Sequence, residues 1–244
     1  ASVERRLPGH PCVILVGDRE SDLFDLFAAP RSRNIRLLVR VRERRRRVRG
    51  PVKHLGNAVH QSPPQATTIL EVPRADDRSS RQARLTLRWT CLTLERPVNH
   101  PDQSAAEEAT LWFVEAREEN PPAGAQALGW LLAASWPIET TEDAMAALRW
   151  YAYRWRIERF HYVLKSGCGI ERHQLLTRER TERLLATLSV VAWHILHLTY
   201  EARHHSTLSC TRVFSDQQWR VLHLAVHKRI PVPDEPPSLA AATR

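Results

Sequence analysis

At 244 residues the chain can bury a substantial core and hold one or two domains. Its 36 Lys and Arg against 27 Asp and Glu give a formal charge of +9 and an isoelectric point near 10.1, which favours an anionic partner, nucleic acid foremost. Four scattered cysteines (Cys12, Cys91, Cys168 and Cys210) with no CxxC pair read as reduced, buried thiols. The longest apolar run, Leu184–Leu198, is broken by Thr187, Ser189, His194 and His197, so a cytoplasmic protein with no membrane partner is expected.

Cys12–Gly17 is a short continuous apolar run of the kind found in buried strands. It ends on Asp18, and Glu20–Ala28 then shows helical periodicity. A carboxylate at the C-terminal end of a buried strand is where α/β sheets place functional groups, and helix capping is its competing role. Ile35–Val41 reads as the next strand, with Arg40 near its end. A basic run follows, Arg42, Arg44 to Arg47 and Arg49, either a solvated loop or a surface that neutralises phosphates.

From Pro51 to about Ser135 the pattern changes to short strands with polar, proline-bearing connections. Ala83, Leu85, Leu87, Trp89 and Cys91 alternate with polar residues, a period of two. Leu92–Leu94, Ala109–Ala116 and Leu128–Ala134 are further strand candidates, and Ala75–Ser80 and Val98–Glu107 read as mobile loops. Trp130 lies in the last of these strands, where a tryptophan usually belongs to a core.

A helix is expected from near Thr140, its cap, with Glu142 and Asp143 in the first turn and Gly167 and Gly169 ending it. Within it Tyr151, Arg154, Glu158 and Lys165 stand at i, i+3, i+7 and i+14, an arc of roughly 60° on an ideal helix. Tyr153, Ile157, Phe160 and Leu164 form a second, core-like stripe nearly opposite. The first face is either a solvated salt-bridged surface or a carboxylate set among phosphate-binding groups. Arg178–Arg203 reads as a long helix whose leucines and valines pack on the core. Phe214–Lys228 reads as a third helix, capped by Ser215 and followed by the proline-rich Ile230–Pro237.

Tyr151-x2-Arg154-x3-Glu158-x6-Lys165, with Trp155-Arg156-Ile157 and Phe160-His161 around it, resembles the YREK signature of one group of bacterial insertion-sequence transposases. These belong to the DDE superfamily, and the resemblance implies an α/β fold. It would be a ribonuclease-H-like catalytic core interrupted by a β-rich insertion, with a helical C-terminal part. Residues 1–49 would be the first part of the core, 50–135 the insertion, 136–206 the rest of the core, and 207–244 the start of a dimerisation region. The stretch Gly17-Asp18-Arg19-Glu20-Ser21-Asp22 is similar to the family's text around its second catalytic Asp.

The resemblance makes Asp18 and Glu158 catalytic ligands of Mg²⁺ (or Mn²⁺), in a two-metal phosphoryl transfer that passes through a DNA hairpin. Arg40, Arg154 and Lys165 would hold phosphates, Tyr151 would donate a hydrogen bond to another, and Trp130 would stack on a base turned out of the duplex, buttressed by Trp155. The implied partners are double-stranded DNA, as transposon ends and target, and a second copy of the full-length protein. Its implied location is the bacterial cytoplasm, on the nucleoid when bound to DNA.

One departure stands out. Three carboxylates are expected, yet residues 1–17 hold no Asp and only Glu4, and the sole methionine is Met145. The expectation is therefore a fragment of a longer transposase, shortened at the N-terminus and at the C-terminus, with an incomplete metal site and little cleavage activity alone. The alternative is a non-catalytic basic DNA-binding or regulatory protein derived from a transposase. An RNA-binding structural role is disfavoured, because an acid on a phosphate-binding face is costly unless it holds metal.

Overall fold

Fifteen residues of mostly alternating side chains, Arg81–Glu95, form the longest strand of the computed structural model, which describes residues 12–72, 81–124, 127–228 and 232–243. The chain divides into two compact units, one through Arg154 and one from Trp155.

The first unit is built on a mixed sheet. Its strands are β1 (Val13–Gly17), β2 (Ile35–Arg40), β3 (Ala66–Val72), β4 (Arg81–Glu95), β5 (Glu108–Glu118) and β6 (Gly129–Ala134). They lie in the order β1-β2-β6-β5-β4-β3 as a six-stranded sheet. β1 and β2 run parallel and every other neighbouring pair is antiparallel. The stretch 50–135 thus adds its strands to the same sheet as β1 and β2.

Side chains alternate between the two faces, and each face has its own core. On one face Leu38, Leu85, Leu87, Val114, Ala116, Leu132 and Ala134 pack with Ala144, Ala147, Leu148 and Tyr151 of α3 (Thr141–Ala152). On the other, Val39, Leu94, Phe113, Leu131 and Ala133 are covered by α1 (Phe24–Ala28) and α2 (Leu55–Gln61) through Phe24, Phe27, Leu55 and Val59. Fully burying one such side chain contributes about 1.5–3 kcal/mol, so the two cores dominate this unit's stability.

Several expectations need correction. The two strands read at 83–91 and 92–94 are one strand. Its odd positions through Trp89 enter the first core, whereas Leu92 and Leu94 pack with the second, so the buried face switches where the period seemed to end. The helix read over 20–28 is instead a 3-10 turn, Arg19–Ser21, followed by the short α1. β1 has a single neighbour among the described residues and is only half-buried. α2 and β3 carry no strong periodic signal in the sequence. The loop 98–107 is anchored by the buried His100, which bonds to Asp102 O at 2.7 Å and Asp25 Oδ1 at 2.9 Å. The expected loop Ala75–Ser80 lies outside the described residues.

Thr140 caps α3 as expected, in a capping box with Asp143. The second unit holds α4 (Arg154–Tyr162, from its second residue on), a π-wound segment Val163–Gly167, α5 (Arg178–His204), α6 (Asp216–His227) and α7 (Leu239–Ala242). Ser215 caps α6 with Gln218 completing the box, and Cys210, Trp219 and Leu239 form a small core. α5 fully buries only Ala192. Leu185, Val190, Val191 and Ile195 stay exposed, against the expectation that they pack, since this unit has too little surface to cover every side of one helix. Of the four cysteines read as buried, Cys210 is buried while Cys12 and Cys91 are exposed.

Candidate active site

Asp18 follows directly on β1. Gly17 lets the chain turn there, because a Cβ at that position would stand 2.6 Å from Ser21 Cβ. Asp18 Oδ1 accepts a hydrogen bond from Glu20 N at 3.0 Å and caps the 3-10 turn, so the capping role weighed for this residue is realised. Its Oδ2 has no partner among the described residues.

Strand register sets what stands beside it. Ile14 is opposite Arg36 and Val16 opposite Leu38 in the parallel pair, which ends with Gly17 opposite Val39, so the chain leaves β1 at Asp18 by the end of β2 that carries Arg40. Arg40 pairs with Leu132 in β6 and donates to Gly129 O at 3.3 Å. Trp130, two residues before Leu132, points to the same face. Arg40 and Trp130 therefore share one face of the sheet, at the end where Asp18 follows β1. Trp130 meets Tyr151 of α3 edge to face, with ring centroids 5.6 Å apart, and the Arg154 guanidinium lies 5.8 Å from the Tyr151 ring centroid.

The expected single helical face from Tyr151 to Lys165 does not form as one helix. α3 ends at Ala152, Tyr153 N–H turns back to Arg149 O and Tyr151 O, and α4 begins at Arg154. The reason is burial: α3 is anchored by four buried side chains, whereas α4 buries none, and the helix breaks where the core contact stops. Tyr151 is 1% exposed, not on an open surface, and among the described residues its hydroxyl has no hydrogen-bond partner. Tyr153 and Ile157, read as core-facing, are exposed, while Leu164 is buried.

In the second unit, Trp155 is exposed and Glu158 half-buried on α4. Lys165 sits in the π-wound segment, closed by Cys168 N to Val163 O at 2.8 Å, and pairs with Glu171 at 2.8 Å. A π turn holds more than 3.6 residues, so Lys165 departs from the 100° progression that placed it with Glu158.

The basic run after β2 is largely neutralised from within. Arg44 pairs with Glu115, Arg46 with Asp22 at 2.9 Å, Arg47 with Glu95 at 3.1 Å, and Arg49 with Glu108. Asp22 is the residue that sequence reasoning undervalued. Buried, it accepts from Arg42 N at 2.7 Å, Glu43 N at 2.8 Å and both Nε and Nη2 of Arg46, which clamps this loop beside Asp18. The signal was the acid itself, four residues after Asp18 and ahead of an arginine cluster.

Residues 9–194 match the model of the transposase DDE domain family. The chain belongs to the DDE transposase family. Its mixed α/β sheet with flanking helices is consistent with the ribonuclease-H-like fold expected of such a transposase. Membership implies a DNA substrate and a divalent-metal-dependent nuclease or transposase activity. Carboxylates are the donors that a hard divalent cation takes, and the unpartnered Oδ2 of Asp18 fits that use. Among the described residues no three His, Cys, Asp or Glu side chains group so as to hold a metal ion. No helix among them is long and apolar enough to cross a membrane.

Proposed function

We propose that this DDE transposase chain belongs to the YREK group of bacterial insertion-sequence enzymes and serves cut-and-paste transposition through a hairpin at the DNA end. The observation that supports this reading is the register that puts Arg40 and Trp130 on one face of the sheet, at the end where Asp18 follows β1.

Asp18 and Glu158 are the proposed ligands of Mg²⁺ (or Mn²⁺), which when bound would activate the attacking oxygen and steady the leaving one. Arg40 and Arg154 hold phosphates flanking the scissile bond, with Lys165 as a further phosphate contact once released from Glu171. Tyr151 supplies a phenolic hydrogen bond to a phosphate oxygen once its buried hydroxyl is uncovered. Trp130 stacks on the base turned out of the helix, an interaction worth about 1–3 kcal/mol, with Trp155 as its buttress. The working assembly is a homodimer acting on transposon ends and target DNA in the bacterial cytoplasm.

A second reading is a non-catalytic basic DNA-binding or regulatory protein derived from a transposase, which the net charge of +9 favours.

The test is Mn²⁺ binding by electron paramagnetic resonance, alongside nicking of supercoiled plasmid, for the 244-residue protein with Asp18→Asn and Glu158→Gln. The expected result is weak Mn²⁺ binding that each substitution lowers, with at most trace nicking. DNA binding without any Mn²⁺ binding would select the second reading. Efficient nicking that survives both substitutions would sink the site assignment.

A further inference from the structure

On the face of the sheet opposite Asp18, α2 and β5 enclose a hollow of about 600 Å³, lined by Arg44, Arg45, His54, Asn57, His60, Glu115 and Arg117. Gly56 allows the loop to close against α2, since a Cβ there would stand 3.0 Å from Arg44 Cβ. Glu115, 1% exposed, is already satisfied by Arg44 and by His60 Nδ1 at 3.2 Å. The guanidinium groups of Arg45 and Arg117 have no acidic partner among the described residues. An adjoining hollow of about 480 Å³ is lined by His60, Arg117 and Arg88. Arg88 is 7% exposed and pairs with Glu119 at 2.9 Å through Nη2, while its buried Nε and Nη1 have no partner among the described residues. A buried guanidinium with two unused donors calls for an acceptor.

The two histidines are held in a defined way. His60 Nδ1 faces a carboxylate and His54 Nδ1 faces Arg45 O at 2.9 Å, both acceptors, so Nδ1 carries the hydrogen in each ring. Nε2 is then a lone pair in the neutral ring and becomes a donor only on protonation. The charged groups around these rings are Arg44, Arg45, Glu115 and Arg117. Arg88, Glu118 and Glu119 lie beyond His60, and Lys53 and Arg47 lie next to His54.

We propose that this hollow is an oxyanion site for a phosphate group. Arg45 and Arg117 are its permanent donors, and His54 and His60 donate only when protonated. The phosphodiester backbone of DNA is the source that fits a chain of this charge and family, which would give the transposase a pH-sensitive DNA contact remote from Asp18.

Sulfate is the probe, because it keeps one charge state at both pH values used. Its affinity for the 244-residue protein would be measured by calorimetry at pH 6 and pH 8 at fixed ionic strength, with a labelled 20-base-pair duplex as competitor. Sulfate should bind about five-fold or more tightly at pH 6. A His54→Gln/His60→Gln variant should lose that difference, and an Arg45→Ala/Arg117→Ala variant, altered only at exposed side chains, should lose about ten-fold at both pH values. The duplex should displace sulfate. A duplex that binds and leaves sulfate in place would assign the same site to a free phosphate compound. Equal affinity at both pH values, or wild-type binding by the double arginine variant, would overturn the proposal. Asp18→Asn should change none of these readings, which separates this site from the proposed catalytic one.

Discussion

Trp130 and Tyr151 meet edge to face, with centroids 5.6 Å apart and an interplanar angle of 63°. The tryptophan proposed to stack on a flipped base is therefore tied to the end of α3 and to the core beneath it. An edge-to-face pair contributes about 0.5–1.5 kcal/mol beyond the area it buries. Trp130→Ala should lower stability by about 1–3 kcal/mol in urea unfolding, with Trp130→Phe recovering part of it. A Trp130→Ala protein as stable as wild type would show that the pair is not maintained in solution.

Asp18 and Asp22 should separate cleanly. Asparagine caps a turn about as well as aspartate, so Asp18→Asn should change stability by less than about 0.5 kcal/mol. Asp22→Ala strands Arg46, whose side chain is 13% exposed, and leaves two backbone N–H groups unmet, at a cost of about 3–5 kcal/mol. Guanidinium denaturation of both variants decides it, and the reverse order would refute these roles.

Glu118 provides a pH signature. The Arg81 guanidinium, opposed by burial, holds its carboxyl below the ordinary 4.5, and Leu128 N–H helps. A depressed folded pKa gives stability that is present above the unfolded value and lost as pH falls through the folded one. Glu118→Gln should therefore cost about 1–3 kcal/mol at pH 7, and the difference should shrink below pH 4.5. A difference independent of pH would mean that only packing is lost.

Thr140 is the simplest test of α3. Its hydroxyl accepts from Asp143 N at 3.2 Å and donates to Asp143 Oδ2 at 2.9 Å. That bond, with the N–H groups of Glu139 and Thr140, keeps the Asp143 carboxyl below its ordinary range. Thr140→Ala should cost about 1 kcal/mol in thermal unfolding, and Thr140→Ser nearly nothing.

The sequence was most readable where one local rule governs. Thr140 and Ser215 mark their helices by side-chain capping, and Ala83 to Trp89 mark a strand by alternation. It was least readable where distant partners decide. The run from Arg42 to Arg49 looks like a phosphate surface until Glu115, Glu95 and Glu108 arrive from β4 and β5. The motif from Tyr151 to Lys165 carries the family, but spacing alone could not show a helix that breaks after Ala152 and rewinds as a π turn at Val163. Those departures depend on which side chains find a core.

β2 and β6 are paired neighbours, and the bond from Leu37 N to Ser135 Oγ beside their ladder spans 98 positions of chain. Closing so long a loop is slow, whereas β4, β5 and β6 zip together through nearby turns. The strands bearing Asp18 and Arg40 should thus be the last to join the sheet. Until they do, the newly made protein carries the arginines of this run apart from the acids that later neutralise them, and its affinity for nucleic acid would peak before its fold is complete.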